Sequence, residues 1–339
     1  MNMATSKVLV TGAGGFIGSH LTERLVRAGA RVRGLVHYRS SGSLGWLDTL
    51  PESIRSDLEI VRADIRDYHA VAAAMRGSDV VFHLAALIGI PYSYFAADAY
   101  VETNIKGTLN VLQAARALQT RRLVQMSTSE VYGTPEAVPI VETHPLQAQS
   151  PYAATKIGAD QLARSFHQAF GTPVVIARPF NTYGPRQSPR AVIPAIIEQL
   201  ASGATHIQIG ATHPTRDFTF VDDTTAALVA AAETDEAIGD TVHFGSGYEL
   251  GIGELARQIA SQMGAPGVEL VEEKARLRPP SSEVERLWAN NAKAERLLGW
   301  KPLYTGADGL RRGLEQTIQW FTAPQRQRGT AAPDSEYRI

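Results

Sequence analysis

The segment VLVTGAGGFIG, residues 8–18, constrains the fold more than any other part of the chain. The β-branched run at residues 7–11 reads as a buried strand. The apolar periodicity of residues 16–28 reads as a helix closed by Gly29. Between them Gly12, Gly15 and Gly18 form G-x-x-G-x-x-G. The first glycine permits the tight turn, the second lets backbone approach a pyrophosphate, and the third lets helix and strand pack closely. The helix N-terminus offers free N–H groups to phosphate oxygens. This strand–turn–helix predicts a dinucleotide-binding unit, against the alternative of a glycine-rich turn with no ligand.

The alternation continues. Strands are expected at residues 31–37, 59–63, 80–84, 122–127, 174–178 and 241–245, with helices at 68–75, 100–118 and 151–170. That spacing predicts an α/β fold: a Rossmann-type, doubly wound parallel sheet with right-handed crossovers. The rhythm changes after Arg178. Residues 181–190 are rich in Pro, Gly and polar groups and read as a functional loop. Further helices are expected at 191–202, 221–233, 250–263 and 291–298. A dinucleotide-binding domain would then span residues 1–180 with a return segment 221–248. A smaller C-terminal α/β substrate-binding domain would take 181–220 and 249–322, capping the carboxyl edge of the sheet. The polar residues 323–339 read as a flexible tail.

Charge and composition narrow the partners. With 33 basic and 34 acidic residues among 339, the net charge is -1. Nothing in that balance favours nucleic acid or a membrane surface. An anionic ligand must be held by local donors. No stretch approaches the ~20 apolar residues of a membrane span. Residues 1–10 do not read as a signal peptide. The absence of cysteine excludes a disulfide framework and a thiolate metal site, and no metal is expected. The reading fits a cytoplasmic enzyme.

The end of the second strand should choose between NAD and NADP. A carboxylate there would bond the ribose 2′-hydroxyl. The chain offers His37, Tyr38, Arg39 and Ser40 instead. Arg39 could meet a 2′-phosphate bidentately, so the reading of NAD(P) leans towards NADP. Arg39 as a plain loop arginine is the alternative. Asp64 and Ile65 follow the third strand, where adenine would lie, though Asp64 could equally cap a helix.

Two clusters can carry chemistry. Tyr152 and Lys156 are four apart on a predicted helix and share one face. An ammonium beside a phenol favours phenolate, which can take a proton from a sugar hydroxyl as hydride leaves the same carbon. Thr128, Ser129 and Glu130 follow one another at a strand end, where the sheet's carboxyl edge meets the ligand crevice. The hydroxyls can polarise a sugar oxygen. The carboxylate can remove a carbon-bound proton beside a new ketone.

These motifs occur in a familiar order: TGAGGFIG, HLAA at 83–86, STSEVYG at 127–133, Tyr152-x-x-x-Lys156, RPFNTYGPRQ at 178–187 and TRDFTFVDD at 215–223. Over residues 7–321 the chain resembles the extended short-chain dehydrogenase/reductase family. Thr-Ser-Glu and the stretch 278–300 are similar to GDP-mannose 4,6-dehydratase. LIGIPYSY at 87–94 and residues 37–48 are similar to 4,6-dehydratases of legionaminic-type pathways. The resemblance implies that Phe16, Ile17, Leu84, Ala85, Ala86 and Asn104 line the dinucleotide with the residues named above. Asn181, Arg190, Arg216 and Arg278 match positions that hold the diphosphate and nucleoside of a GDP- or UDP-hexose. Tyr92 could line the sugar pocket, as could Tyr94. The implied reaction oxidises C4 through Tyr152 with Thr128 on the 4-oxygen. Glu130 then removes the C5 proton, and water leaves C6 with help from Glu130 or Ser129. Hydride returns to C6, giving a 4-keto-6-deoxy sugar. A homodimer through helices at 104–118 and 151–170 is implied as well. Rival readings are a 4-epimerase, which needs no Glu130, a uronic-acid decarboxylase, which needs an arginine for the substrate carboxylate, and a silent NADP-binding regulator.

Overall fold

The computed structural model describes residues 1–323. The expected tail, apart from Ala323, lies outside the described residues. Seven parallel strands form the main sheet: β1 (Lys7–Thr11), β2 (Arg31–Val36), β3 (Leu58–Arg62), β4 (Val80–His83), β5 (Arg122–Met126), β6 (Val174–Pro179) and β7 (Thr241–Phe244). Their order is β7-β6-β5-β4-β1-β2-β3. The sequence order reverses between β1 and β4, which opens a crevice beyond the carboxyl ends of the strands.

Alternation along each strand feeds two cores. Val8 and Val10 join a cluster under the helices Phe16–Arg27 and Val221–Glu233. Leu9 joins the opposite cluster under Tyr68–Met75, Gly107–Ala117 and Pro151–Phe170. Both faces are covered, so β4, β5 and β6 are buried along their whole length and β1 from Val8 onward.

The capping part has its own core of Ile193, Ile197, Phe218, Phe220, Leu255 and Leu314. It holds a four-stranded sheet made from Asn181–Tyr183, Thr215–Phe220, Glu249–Gly251 and Arg286–Leu287. His206–Ile209 pairs with Glu269–Glu272 beside it. Sequence periodicity predicts none of these strands, because they run two to six residues and are specified by long-range pairing.

Two further differences have local causes. The expected helix from residue 100 contains a wider π turn over Val101–Lys106 before the regular turns of Gly107–Ala117. Insertions of this kind often mark functional positions. Asp64 is not a helix cap: Asp67 caps Tyr68–Met75, accepting from the amides of His69 and Ala70 at 2.8 and 3.2 Å.

Candidate active site

The glycine turn fits a dinucleotide. A Cβ on Gly12, at φ +70°, would sit 2.9 Å from the Ala85 amide, and one on Gly18 would run into the Gly12 carbonyl. Backbone therefore approaches backbone where only glycine fits. The helix from Phe16 and Ile17 starts at Gly15 with no side-chain cap, so its first N–H groups face the crevice. Leu84 and Ala85 are held beside the turn by the Thr11 hydroxyl, which accepts from both amides at 3.1 Å. Ala86 follows them. Thr11 passes its own proton to His83 Nδ1 at 2.8 Å. Burial drops that imidazole to about 3, so it stays neutral.

Other expected cofactor residues take indirect parts. The Asn104 amide bonds the Leu87 carbonyl and the Thr155 hydroxyl, at 2.9 and 3.0 Å, and accepts from the Leu87 amide at 2.8 Å. It shapes the wall rather than offering a free group. Ile65 is buried in the core against Gly107. Asp64 is held by Arg66, whose Nη2 lies at 2.6 Å, and that pairing lowers the carboxyl below the usual range. His37 stands 3.9 Å from Asp64. His37 and Ser40 are exposed and Arg39 is half-buried on the loop after β2.

Thr128, Ser129 and Glu130 sit in one tight turn past β5, with the Thr128 oxygen accepting from the Glu130 amide at 3.3 Å. Tyr152 comes from the first turn of the Pro151–Phe170 helix, which Ser150 caps by accepting from the Ala153 amide at 3.1 Å. The Thr128 hydroxyl lies beside the Tyr152 hydroxyl and favours its phenolate, and the Glu130 charge opposes it. Phenol, hydroxyl and carboxylate thus share one recess.

The expected ammonium–phenol pairing differs. Lys156 Nζ donates to the Met126 carbonyl at 2.6 Å. Tyr152 is pushed well up, chiefly by burial, and Lys156 is pushed down by its own burial. The ammonium is anchored to the strand end and does not lower the phenol.

The arginines divide. Arg216 is buried and donates to Glu283 at 3.0 Å. Arg278 Nη1 lies 3.9 Å from Glu130 and 3.7 Å from Glu283. Asn181 Oδ1 is buried without a hydrogen-bond partner, as is Arg278 Nη1. Arg190 is exposed, although its charge reaches Tyr100. Tyr92 is half-buried, with its ring 6.0 Å from Tyr100, whose ring lies 6.3 Å from Tyr152. Tyr94 instead bonds Ser282 at 2.6 Å, joining the 87–95 segment to the cap. Sequence reasoning missed Tyr100, which lies outside every motif, and Asp160, whose i+4 spacing from Lys156 was available.

Fold and site define a class: a Rossmann-type short-chain dehydrogenase/reductase built for nucleotide sugars. The GDP-mannose 4,6 dehydratase family profile matches residues 9–313. The chain belongs to this family of nucleotide-sugar dehydratases and epimerases. It is 34% identical to a UDP-glucose 4-epimerase of Mycolicibacterium smegmatis, over 91% of this chain and 97% of that one. It is 33% identical to a dTDP-glucose 4,6-dehydratase of Actinoplanes sp., over 94% and 98%. Among solved structures, DesIV, a dTDP-glucose 4,6-dehydratase from Streptomyces venezuelae seen with NAD, superposes at a TM-score of 0.80, with 32% identity over 94% of this chain and 98% of that one. No helix among the described residues is long and apolar enough to cross a membrane.

Proposed function

We propose that the protein is a nucleotide-sugar 4,6-dehydratase, converting a GDP- or UDP-hexose to its 4-keto-6-deoxy form. The observation that carries this reading is the Glu130 carboxylate in the same recess as the hydroxyls of Tyr152 and Thr128. The dinucleotide is assigned to residues 1–180 and 221–248, and the sugar nucleotide to residues 181–220 and 249–322. When bound, the oxidised dinucleotide supplies what these residues lack: a reversible hydride acceptor and a positive ring that favours phenolate. Tyr152 accepts the proton of the sugar 4-hydroxyl, and Thr128 holds the 4-oxygen. Once C4 is a ketone, the C5 proton is acidic and Glu130 removes it. The 6-hydroxyl leaves as water with a proton from Glu130 or Ser129, after which C6 takes back the hydride lost by C4 and C5 takes a solvent-derived proton, completing the 4-keto-6-deoxy sugar. Arg216, Arg278 and Asn181 offer charge-assisted and neutral bonds to the diphosphate and nucleoside.

Arg39 after β2, with no acid at the strand end, supports NADP over NAD, a departure from DesIV, which carries NAD. Competition between the two for the purified protein tests it. The helices at 104–118 and 151–170 are assigned to a homodimer contact, tested by sedimentation.

The deciding variant is Glu130→Gln. It should still oxidise C4, seen as reduced-nicotinamide absorbance, yet release no water. Full turnover removes Glu130 from the mechanism. A 4-epimerase is the second reading, favoured by the equal likeness to the Mycolicibacterium enzyme. It would give a C4-inverted product of unchanged mass.

A further inference from the structure

Three residues on one helix face meet three consecutive residues at the end of β5. Tyr152, Lys156 and Asp160 recur every four positions along Pro151–Phe170. Tyr152 lies beside Thr128. Lys156 donates to the carbonyl of Met126 at 2.6 Å, and Ser127 Oγ donates to Asp160 Oδ2 at 2.5 Å. Arg178, from β6, donates to the same carboxylate oxygen at 2.7 Å and to Ser127 Oγ at 3.2 Å. Asp160 and Arg178 are 1% and 2% exposed, and Lys156 is 4%. The second carboxylate oxygen, Oδ1, is buried with no hydrogen-bond partner.

One buried carboxylate is therefore bonded to Arg178 and Ser127 and lies one helical turn from Lys156. Lys156 is faced by Asp160 from its own helix, by Arg178 from β6 and by neutral His83 from β4. Behind Arg178 stand Tyr132, bonded to its guanidinium at 2.5 Å, and His243, which accepts from the Tyr132 hydroxyl at 2.5 Å. Burial holds His243 neutral too. Burial and Arg178 oppose the ammonium, and Asp160 is the group that favours it.

We propose that Asp160 is a positioning residue of this centre: bonded to Arg178 and Ser127, its carboxylate fixes the strand end whose Met126 carbonyl holds Lys156 and supplies the negative charge that offsets Arg178 beside that lysine. This rests on the reading of Tyr152 and Lys156 as the reacting face. A carboxylate-for-amide exchange there separates charge from shape.

The test reads Lys156 without turnover, so it stands apart from the sugar chemistry. The six lysines carry ¹³C at Cε, and the Lys156 resonance is identified by its loss in Lys156→Met. In Asp160→Asn that resonance should titrate about one pH unit or more below wild type, a tenfold weaker hold on the proton. Ser127→Ala keeps the carboxylate and should move it by less than about a third of that. Asp160→Asn with Arg178→Gln leaves no stranded guanidinium, so it serves if the single variant does not fold. Its titration should fall between the two. In active protein the alkaline limb of kcat should shift alongside. An unmoved Lys156 titration in both Asp160 variants overturns the proposal. Equal shifts in Ser127→Ala and Asp160→Asn would assign the effect to the hydrogen bond and overturn the charge role.

Discussion

On the Pro151–Phe170 helix, Lys156 and Asp160 lie 2.6 and 2.5 Å from their strand-end partners and are almost wholly excluded from water. Across the crevice, Arg278 stands 3.7 Å from Glu283 and 3.9 Å from Glu130, with its side chain a quarter exposed. The first region is finished before any ligand arrives: short bonds to backbone and to a buried carboxylate set each group. The second is a set of loose charges whose pairings can be exchanged. Under the proposed function the first region would carry the chemistry and the second would hold the nucleotide of the substrate.

The largest expected effect tests the finished face. Tyr152→Phe should lower kcat by about 10²- to 10⁴-fold, the usual worth of a positioned acid–base group. Nucleotide-sugar affinity, measured by calorimetry, should change little. A variant that keeps wild-type kcat would show that the face is not the reacting one. Next comes Arg178→Gln, which strands the Asp160 charge in the core. Breaking one side of a buried pair costs about 3–5 kcal/mol, seen as a lower urea midpoint. A midpoint unchanged would mean the network carries little of the fold.

A third test concerns the join between the glycine-turn helix and the cap loop. His20 Nε2 donates to the Pro185 carbonyl at 2.8 Å, and burial lowers the imidazole to about 4. A folded value below the unfolded 6.5 means that this stability is complete above pH 6.5. It is lost as pH falls towards 4, by up to about 2 kcal/mol for a partly exposed ring. His20→Gln should flatten that stretch of the stability curve, and an equally steep curve would discount His20. The smallest effect belongs to the rim. Glu283→Gln releases Arg216 and Arg278 from a competing carboxylate and should lower KM about two- to fivefold with kcat unchanged, as expected for a partly exposed ion pair. A raised KM would make Glu283 a substrate contact instead.

The same contrast governs what could be read from the chain alone. The glycine turn, the alternation of strand and helix behind β1, β4, β5 and β6, and the helix that carries Tyr152 and Lys156 are local patterns, and each element lies where they put it. The cap strands Asn181–Tyr183 and Arg286–Leu287 were invisible, since both depend on partners in Thr215–Phe220. Lys156 was expected against the phenol, but its reach to Met126 depends on how β5 meets the helix. The i+4 spacing puts Asp160 on the face of Lys156, but its meeting with Ser127 past β5 and Arg178 on β6 depends on how strand and helix pack. Glu283 lies in the cap, and its place among the arginines comes from the fold of that segment.

The most direct test of the dehydratase account is the mass of the product formed from GDP- and UDP-hexoses in heavy water. The account predicts loss of one water, with a solvent deuteron entering at C5. A product of unchanged mass inverted at C4, with no deuterium at C5, would contradict it.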